Sequence, residues 1–273
     1  MRWQWGVVLG ILLAGCDACG SRPAPPKPAA TAAKKSPAVV FGRVRLADGV
    51  ALPSYRDVDM ERTVLRAGTG QLAEGLGRCE PISHEDRTPV RLSSDGYLTG
   101  VLVSASEFSD AKPRPPRDQP VSIGQDCRLH PRLIVAMEGD TLRVRNEVDF
   151  PFMPMFGSEP IARSLIPGQE FSYKLEHGGT VDAVLCTVTS PCGRSDVVVL
   201  HHPLYDVTDS DGRFRIENFP EDEEVTLNAW HPLFSRAHIE VTLGVGQEKE
   251  VEFVLTPAAS IPPPAPGIAE GSD

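Results

Sequence analysis

The sequence predicts an all-β protein built as an antiparallel β-sandwich. Short runs of alternating apolar and polar residues, such as 141–146, recur along the chain, and this period of two is typical of strands with one buried face. Glycine turns punctuate the runs, as at 48–49, 95–96 and 178–179. Helical spacing of apolar residues is limited to 57–76. Many short strands joined by tight turns indicate a sandwich.

Residues 1–15 predict an export signal. One charged residue, Arg2, precedes an apolar run, 6–14, that is too short to span a bilayer as a stable helix. The run ends at Leu13-Ala14-Gly15-Cys16, which resembles the lipobox of bacterial lipoproteins. That resemblance implies acylation of Cys16, for example with palmitate, and a lipid anchor on the periplasmic face of the inner membrane or on the outer membrane. In the alternative, an ordinary secretory signal, Cys16 has no special role.

Two segments are predicted to lie outside the packed fold. Residues 16–37 are rich in Pro, Ala and Lys and predict an extended tether. Residues 257–273 cannot form a core and are predicted to be disordered. The chain between them is long enough to bury a substantial core.

The charge balance argues against nucleic acid as a partner. The chain has 37 acidic and 27 basic residues, for a net charge of −10. An acidic chain with no basic run outside the tether binds nucleic acid poorly. The expected partners are instead a membrane, through the lipid anchor, and an envelope protein or glycan.

Four cysteines of the predicted folded region are disulfide candidates, since an exported protein favours disulfides. They are Cys79, Cys127, Cys186 and Cys192, and four cysteines allow three pairings. The preferred pairs are Cys79–Cys127 and Cys186–Cys192. The second would close a short loop and would stiffen a turn more than it stabilises the whole fold.

The order of motifs over 128–200 resembles a cupredoxin-like domain. Gly139-Asp140, a strand that ends at Asn146, and Cys186 follow one another as they do in that family. The resemblance implies a cupredoxin-like sandwich, assigned to 38–200. It also implies the family's copper site, in which a thiolate, two imidazoles and a weak methionine ligand hold the metal.

The ligand set departs from that family. Phe152 or Met153 stands where the first imidazole is expected, Thr189 replaces the second, and Cys192 replaces the axial methionine. One interpretation is that Cys186 and Cys192 form a disulfide and that the run of Phe, Met and Pro at 150–156 fills the space that the metal would take.

The alternative interpretation is a soft sulfur site for Cu(I), made by Met153, Met155, Cys186 and Cys192, since thioethers and thiolates select that ion. An oxidising compartment favours the disulfide. No cofactor is therefore expected, with copper as the alternative.

Residues 201–256 resemble a carboxypeptidase regulatory-like (transthyretin-like) segment. The resemblance rests on Thr208-Asp209, Asp211-Gly212 and Phe214, where Asp211-Gly212 supplies a tight turn between two strands. The opening strand, 42–46, resembles the first strand of such domains, which predicts that it pairs late in the chain. These domains bind or support and do not catalyse.

No residues indicate an enzyme. His201-His202 are adjacent, and neighbours on a strand point to opposite faces, so they cannot easily share a metal ion. His231 is expected to be an ordinary hydrogen-bonded histidine. Ser83-His84-Glu85-Asp86 has the residue types of a triad, but a triad is assembled from separated positions.

The sequence therefore predicts a non-catalytic envelope lipoprotein that acts as a binding or structural β-sandwich module. The alternative function is a periplasmic copper-binding or redox protein that uses cysteine and methionine sulfur ligands.

Overall fold

The computed structural model describes residues 37–54, 90–157, 159–162, 164–186 and 192–259. Every regular element within them is a β-strand, and the predicted all-β sandwich class is confirmed. The predicted signal peptide with Cys16, the helical segment 57–76, the consecutive residues 83–86 and most of the tether and tail lie outside the described residues. Within the described part of the chain, no helix is long and apolar enough to cross a membrane.

The strands of the described residues are short, as the spacing of turns predicts. In chain order they are β1 (Val39–Leu46), β2 (Arg91–Leu92), β3 (Leu98–Thr99), β4 (Leu102–Ser106), β5 (Asp118–Ile123), β6 (Leu129–His130), β7 (Leu133–Met137), β8 (Thr141–Asn146), β9 (Pro154–Phe156), β10 (Glu159–Pro160), β11 (Glu170–Lys174), β12 (Thr180–Cys186), β13 (Arg194–Leu200), β14 (Tyr205–Val207), β15 (Arg213–Glu217), β16 (Glu224–Trp230), β17 (Ala237–Thr242) and β18 (Glu248–Leu255).

The two ends of the described chain form one sandwich, here called the flanking sandwich. Its first sheet has the strand order β15–β1–β18 and its second the order β14–β4–β16–β17. β1 runs antiparallel to β15 and parallel to β18, with Val40 opposite both Ile216 and Lys249. Gly42 permits this close pairing, because a Cβ there would overlap the carbonyl of Val251 in β18. The predicted return of the first strand to the end of the chain is confirmed.

Alternating side chains build the core of the flanking sandwich. Val40 and Val44 of β1 point inward, and Leu227 of β16 meets them from the second sheet. Phe214 and Phe253 fill the space between, with ring centroids 6.0 Å apart. Apolar residues at every second position of the sequence are thus the residues whose side chains are buried.

Strands β5 to β13 form a second sandwich, here called the inserted sandwich. One sheet has the order β10–β9–β12–β13–β7 and the other the order β11–β8–β5–β6. Leu142 and Val144 of β8 pack against Ile134 and Val197 of the facing sheet. Most neighbouring strands are antiparallel, whereas β5–β8 and β7–β13 are parallel pairs.

The strands group differently from the predicted ranges 38–200 and 201–256. β1, β3 and β4 belong to the flanking core, where Val103 and Ala105 of β4 pack with strands from the end of the chain. The inserted sandwich therefore lies between β4 and β14 in the chain. The sequence does not reveal this insertion, because the strands of both sandwiches have the same alternation of apolar and polar residues.

A third apolar cluster joins the two sandwiches. Val197 and Val199 of β13 point into the inserted core, whereas Val198 points the other way and meets Leu102 of the flanking sandwich. Trp230 packs at the margin of this cluster. Burial on both faces explains the continuous apolar run at the end of β13.

A buried ion pair fixes the segment that enters the inserted sandwich. Arg114 donates to both carboxylate oxygens of Asp140, at 2.8 and 2.6 Å. The backbone N–H groups of Met137 and Arg117 and the side chain of Gln119 donate to the same carboxylate, which is 0% exposed. Burial by itself would raise the pKa of Asp140, but these hydrogen bonds, Arg114 foremost, hold the pKa well below its usual range.

Candidate functional site

Hydrogen bonds and apolar packing close the end of the inserted sandwich that carries Asn146, Cys186 and Cys192. The buried Asn146 donates from Nδ2 to the carbonyls of Phe150 at 2.7 Å and Leu165 at 2.8 Å. Its Oδ1 accepts from the Val148 N–H at 2.9 Å. Phe152 is fully buried beside them and bonds with Leu165 through both backbone groups. The loop is thus held by its own side chains and backbone.

The cysteines at this end are joined to each other. Cys186 and Cys192 form a disulfide, with Cα atoms 5.3 Å apart, and this predicted pair is confirmed. Both residues are buried in the core of the inserted sandwich, and neither sulfur remains as a thiolate. Cys127 is also disulfide-bonded, whereas Cys79 lies outside the described residues. The position of Thr189 is outside them as well.

The methionines of the alternative copper site do not converge on Cys186. Pro154 is opposite Cys186 in the β9–β12 ladder, and Met155 is opposite Leu185. Because neighbours on a strand point to opposite faces, Met155 lies on the face that Cys186 does not use. Met153 precedes β9 and is 36% exposed, whereas Cys186 is buried. With the sulfurs of Cys186 paired and the thioethers turned away, this donor set does not fit a copper centre. No group of three or more His, Cys, Asp or Glu within the described residues is placed to hold a metal ion.

The adjacent histidines follow the end of β13, so the strand argument for opposite faces does not apply to them, but their surroundings are separate. His201 is exposed and lies 3.2 Å from a carboxylate oxygen of Glu138. His202 is partly buried and meets the ring of Phe108 edge-on, with centroids 4.9 Å apart. Burial, and then the nearby His201, lower the pKa of His202.

His231 is a buried structural histidine. Its Nδ1 accepts from the N–H of Leu233 at 3.2 Å, and its ring packs edge-on against Phe234 at a centroid distance of 5.8 Å. Burial lowers the pKa of His231 to about 3, and the charge of Arg194 adds to that effect. The ring is therefore neutral at pH 7.

A cavity of about 620 Å³ lies at the edge of the inserted sandwich, beside β11 and β12. Tyr173 donates its hydroxyl to Glu159 at 2.7 Å and packs on Phe156, with ring centroids 5.2 Å apart. Burial and then Glu159 raise the pKa of Tyr173 to about 12, and burial raises the pKa of Asp182. Tyr173 is thus engaged by two other residues of this cavity, Glu159 and Phe156.

A cleft of about 560 Å³ opens beside the apolar cluster that joins the two sandwiches. The outer face of strands β4, β16 and β17 forms its floor, and the beginning of β12 and the end of β13 form its wall. Polar side chains line the floor: Ser104, Ser106, Thr226, Asn228, His238 and Glu240. Smaller and apolar residues line the wall: Gly179, Thr180, Val181, Val198 and Leu200. Its volume is within the range of ligand-binding sites, roughly 300–1,000 Å³.

The polar residues of the floor are in cross-strand register. Ser104 lies opposite Asn228, which lies opposite His238 on the next strand. Thr226 follows in a parallel row, about 7 Å along the strands. Valine and leucine side chains alternate with these residues and face the flanking core, so the same strands supply a core on one side and a polar surface on the other.

Some polar groups of the floor are bonded and others are not. Asn228 donates from Nδ2 to the hydroxyl of Ser106 at 2.8 Å, and Thr226 donates its hydroxyl to Glu107 at 2.6 Å. Across the described residues, the Ser104 hydroxyl and Asn228 Oδ1 make no hydrogen bond within the protein. Hydroxyl and carboxamide groups both donate and accept, so this capacity is available to a ligand.

The sequence analysis missed the cleft. Its only local signal is a period of two in which Ser104 and Ser106 alternate with apolar residues in β4, and Thr226 and Asn228 do the same in β16. That pattern predicts a polar face but not its neighbours. Asn228 and Ser106 are 122 positions apart, and the wall comes from the inserted sandwich.

No protein-family model and no curated protein matches this chain. Solved structures that resemble part of it include cupredoxins. A single-residue mutant of amicyanin in its Cu(I) form has 19% identity, covering 30% of this chain and 81% of amicyanin, with a TM-score of 0.27. A purple cupredoxin from Nitrosopumilus maritimus has 19% identity, covering 30% of this chain and 99% of that protein, with a TM-score of 0.26.

A copper-containing nitrite reductase from Thermus scotoductus has 16% identity, covering 37% of this chain and 26% of the reductase, with a TM-score of 0.27. Similarity at this level carries no argument about copper, activity or partners. The carboxypeptidase regulatory-like resemblance of 201–256 stays a prediction.

Proposed function

We propose that this chain is a non-catalytic binding module of a bacterial cell envelope, anchored by lipid on Cys16. In this proposal, a protein or glycan partner binds in the cleft. The observation that carries the proposal is the cleft floor, where half-buried polar side chains in register keep hydrogen-bonding capacity that the protein does not use.

The copper or redox alternative has less support. It requires thiolate and thioether donors that converge, and the disulfide between Cys186 and Cys192 removes the thiolates. The side chain of Met155 belongs to the opposite face of the sheet, and Met153 is exposed. Under this proposal, the described cysteines stabilise the fold through disulfides and bind no metal.

The lipid anchor has its own test, independent of the cleft. Cells that express the chain are grown with labelled palmitate, and we expect the protein to incorporate the label and to partition into detergent. Cys16→Ser is expected to lose both properties. Incorporation that survives in Cys16→Ser would remove the anchor from the proposal.

The binding role is tested by filling the cleft. Val181 is 54% exposed on the cleft wall, so Val181→Trp narrows the cleft without disturbing a core. Val245 is 44% exposed and does not line the cleft, which makes Val245→Trp the matched control. We expect immobilised full-length protein to retain material from solubilised cell envelopes, and Val181→Trp alone to lose it. Equal retention by both variants, or none by the natural chain, contradicts the proposed function.

A further inference from the structure

The chemistry of the cleft floor is that of hydroxyl recognition. Ser104 keeps a complete hydroxyl, and Asn228 keeps its carbonyl oxygen and one N–H after bonding to Ser106. These residues lie opposite each other on neighbouring strands, with Cβ atoms about 5 Å apart. A ligand that matches them must both donate and accept at closely spaced atoms, as adjacent sugar hydroxyls do.

The charges around the floor favour a neutral ligand. Glu107 and Glu240 bring negative charge, whereas Arg236 brings positive charge from the same cleft. One carboxylate, that of Glu107, is already engaged by Thr226. Charges of both signs produce no single-sign field of the kind that attracts phosphates or other polyanions.

Apolar surface borders the polar floor. Trp230 lines the cleft where the apolar cluster begins, and Val181 and Leu200 line the wall. Aromatic side chains combine a large apolar body with a polar edge. A saccharide ring presents the complementary surfaces, since its hydroxyls project from the rim and its C–H groups form apolar faces.

The floor is poorly suited to an extended peptide. β4 lies between β14 and β16, and β16 lies between β4 and β17, so the backbone groups of both strands are used in the sheet. A peptide that binds by strand addition needs an exposed sheet edge. The cleft offers the face of a sheet, where side chains alone are available.

We infer that the cleft binds a neutral saccharide, with Ser104 and Asn228 contacting its hydroxyls and with Trp230 and Val181 contacting its C–H faces. This inference rests on the proposed function and names the ligand class of the same site. The two rows of polar side chains span about one or two sugar rings, since rows on a strand are spaced about 7 Å apart.

The test uses full-length protein in detergent and a panel of oligosaccharides. The neutral probes are oligomers of glucose, mannose, galactose and N-acetylglucosamine, and the charged probes are oligogalacturonate and a sulfated oligosaccharide. Calorimetry measures affinity, and tryptophan fluorescence reports the cleft after subtraction of the signal from Trp230→Phe. Trp3 and Trp5, the other two tryptophans, lie in the predicted signal peptide.

We expect at least one neutral probe to bind and both charged probes to bind more weakly. Asn228→Ala should weaken binding at least about tenfold, because it leaves a sugar hydroxyl without its partner. Ser104→Ala provides a second variant on the facing strand. Thr242→Ala is the control, since Thr242 is exposed on β17 outside the cleft, and it should change affinity by less than about twofold.

Three results would overturn the inference: no neutral probe binds, a charged probe binds more tightly than every neutral one, or both cleft variants bind like the natural chain. If this happens while envelope material is still retained and Val181→Trp still loses it, the saccharide assignment fails and the binding role stands. If that retention is also absent, the proposed function fails as well.

Discussion

The closed end of the inserted sandwich and the cleft floor differ in how they treat polar side chains. Asn146 is buried, and its amide donates twice and accepts once within the loop that it organises. On the cleft floor, Asn228 makes one bond through its amide and leaves its oxygen open. The side-chain amide of Asn146 is fully hydrogen-bonded within the protein, whereas Asn228 keeps its oxygen and one N–H for water or a ligand.

This difference separates residues that stabilise from residues that are free to bind. A buried polar group costs free energy unless it is bonded, so closed networks are found where the fold depends on them. A partly bonded group that solvent can reach costs little, because water bonds to it until a ligand replaces the water. Substitutions in buried networks should therefore lower stability, whereas substitutions on the cleft floor should lower binding and change stability little.

The largest effect on stability is expected for Asp140→Asn. The change leaves Arg114 without its charged partner in a site where Asp140 is 0% exposed, and breaking a buried pair costs about 3–5 kcal/mol. Urea unfolding measures the loss. Asp118→Asn is the control, since Asp118 bonds Arg143 at the surface, and it should leave the curve almost unchanged. Equal effects of the two substitutions would show that the buried pair does not fix the fold.

Acidification is expected to destabilise the fold through His231. Its pKa in the folded state is about 3, below the value of about 6.5 for an unfolded histidine. The unfolded state therefore binds more protons, and the free energy of unfolding should fall as pH decreases from about 6.5 toward 3, by up to about 1.4 kcal/mol per pH unit. Unfolding of the natural chain and of His231→Phe is compared across this range. If the free energy of unfolding depends on pH equally in His231→Phe and in the natural chain, His231 is not the source of the acid sensitivity.

Asp140 adds a second acid-sensitive contribution at lower pH. Because its folded-state pKa is depressed, its contribution is present above the unfolded value of about 3.9 and is lost as pH falls below that value. The same unfolding series, carried below pH 4, should be flatter in Asp140→Asn than in the natural chain.

An intermediate effect is expected from removing the disulfide. Replacing Cys186 and Cys192 together by alanine should cost about 2 kcal/mol, because a short loop loses little entropy when it is closed. Envelope retention and saccharide binding should be unaffected, since neither residue lines the cleft. A thiol count on the natural chain should find no free thiol at these two positions. Stoichiometric Cu(I) binding that disappears in Cys186→Ala would favour the copper alternative instead.

The smallest effect on stability is expected for Asn228→Ala. One partly buried hydrogen bond, to Ser106, is lost, and such a bond contributes about 1 kcal/mol or less. Thermal unfolding should therefore place this variant close to the natural chain, although its binding is impaired. A loss as large as that of Asp140→Asn would mean that the cleft floor is part of the structural core.

The sequence predicts local features of this molecule better than long-range ones. The alternation at 141–146 predicts β8, and the short spacing of Cys186 and Cys192 makes their disulfide a reasonable choice. The sequence predicts that the first strand pairs late in the chain, but it predicts neither the direction of its two neighbours nor the register of Val40 with Ile216 and Lys249. The insertion was not predictable, because strand pairing depends on which apolar faces meet and not on chain order.

The cleft was unpredictable for a related reason. Ser104 and Asn228 are ordinary polar positions in separate strands, and each has the period of two that predicts a solvent-facing surface. They become a site when β4 pairs with β16 and when the inserted sandwich places Val181 beside them. Two tertiary events are needed, and neither has a signature in the local sequence.

The most direct test of the account is an amide NMR titration of the full-length protein in detergent with the tightest-binding neutral oligosaccharide. It observes the closed end and the cleft in the same sample. The account predicts that the largest shifts occur at Ser104, Ser106 and Asn228, and that Met155 and Cys186 stay in place. Shifts concentrated at Met155 and Cys186, with the floor of the cleft unmoved, would contradict it.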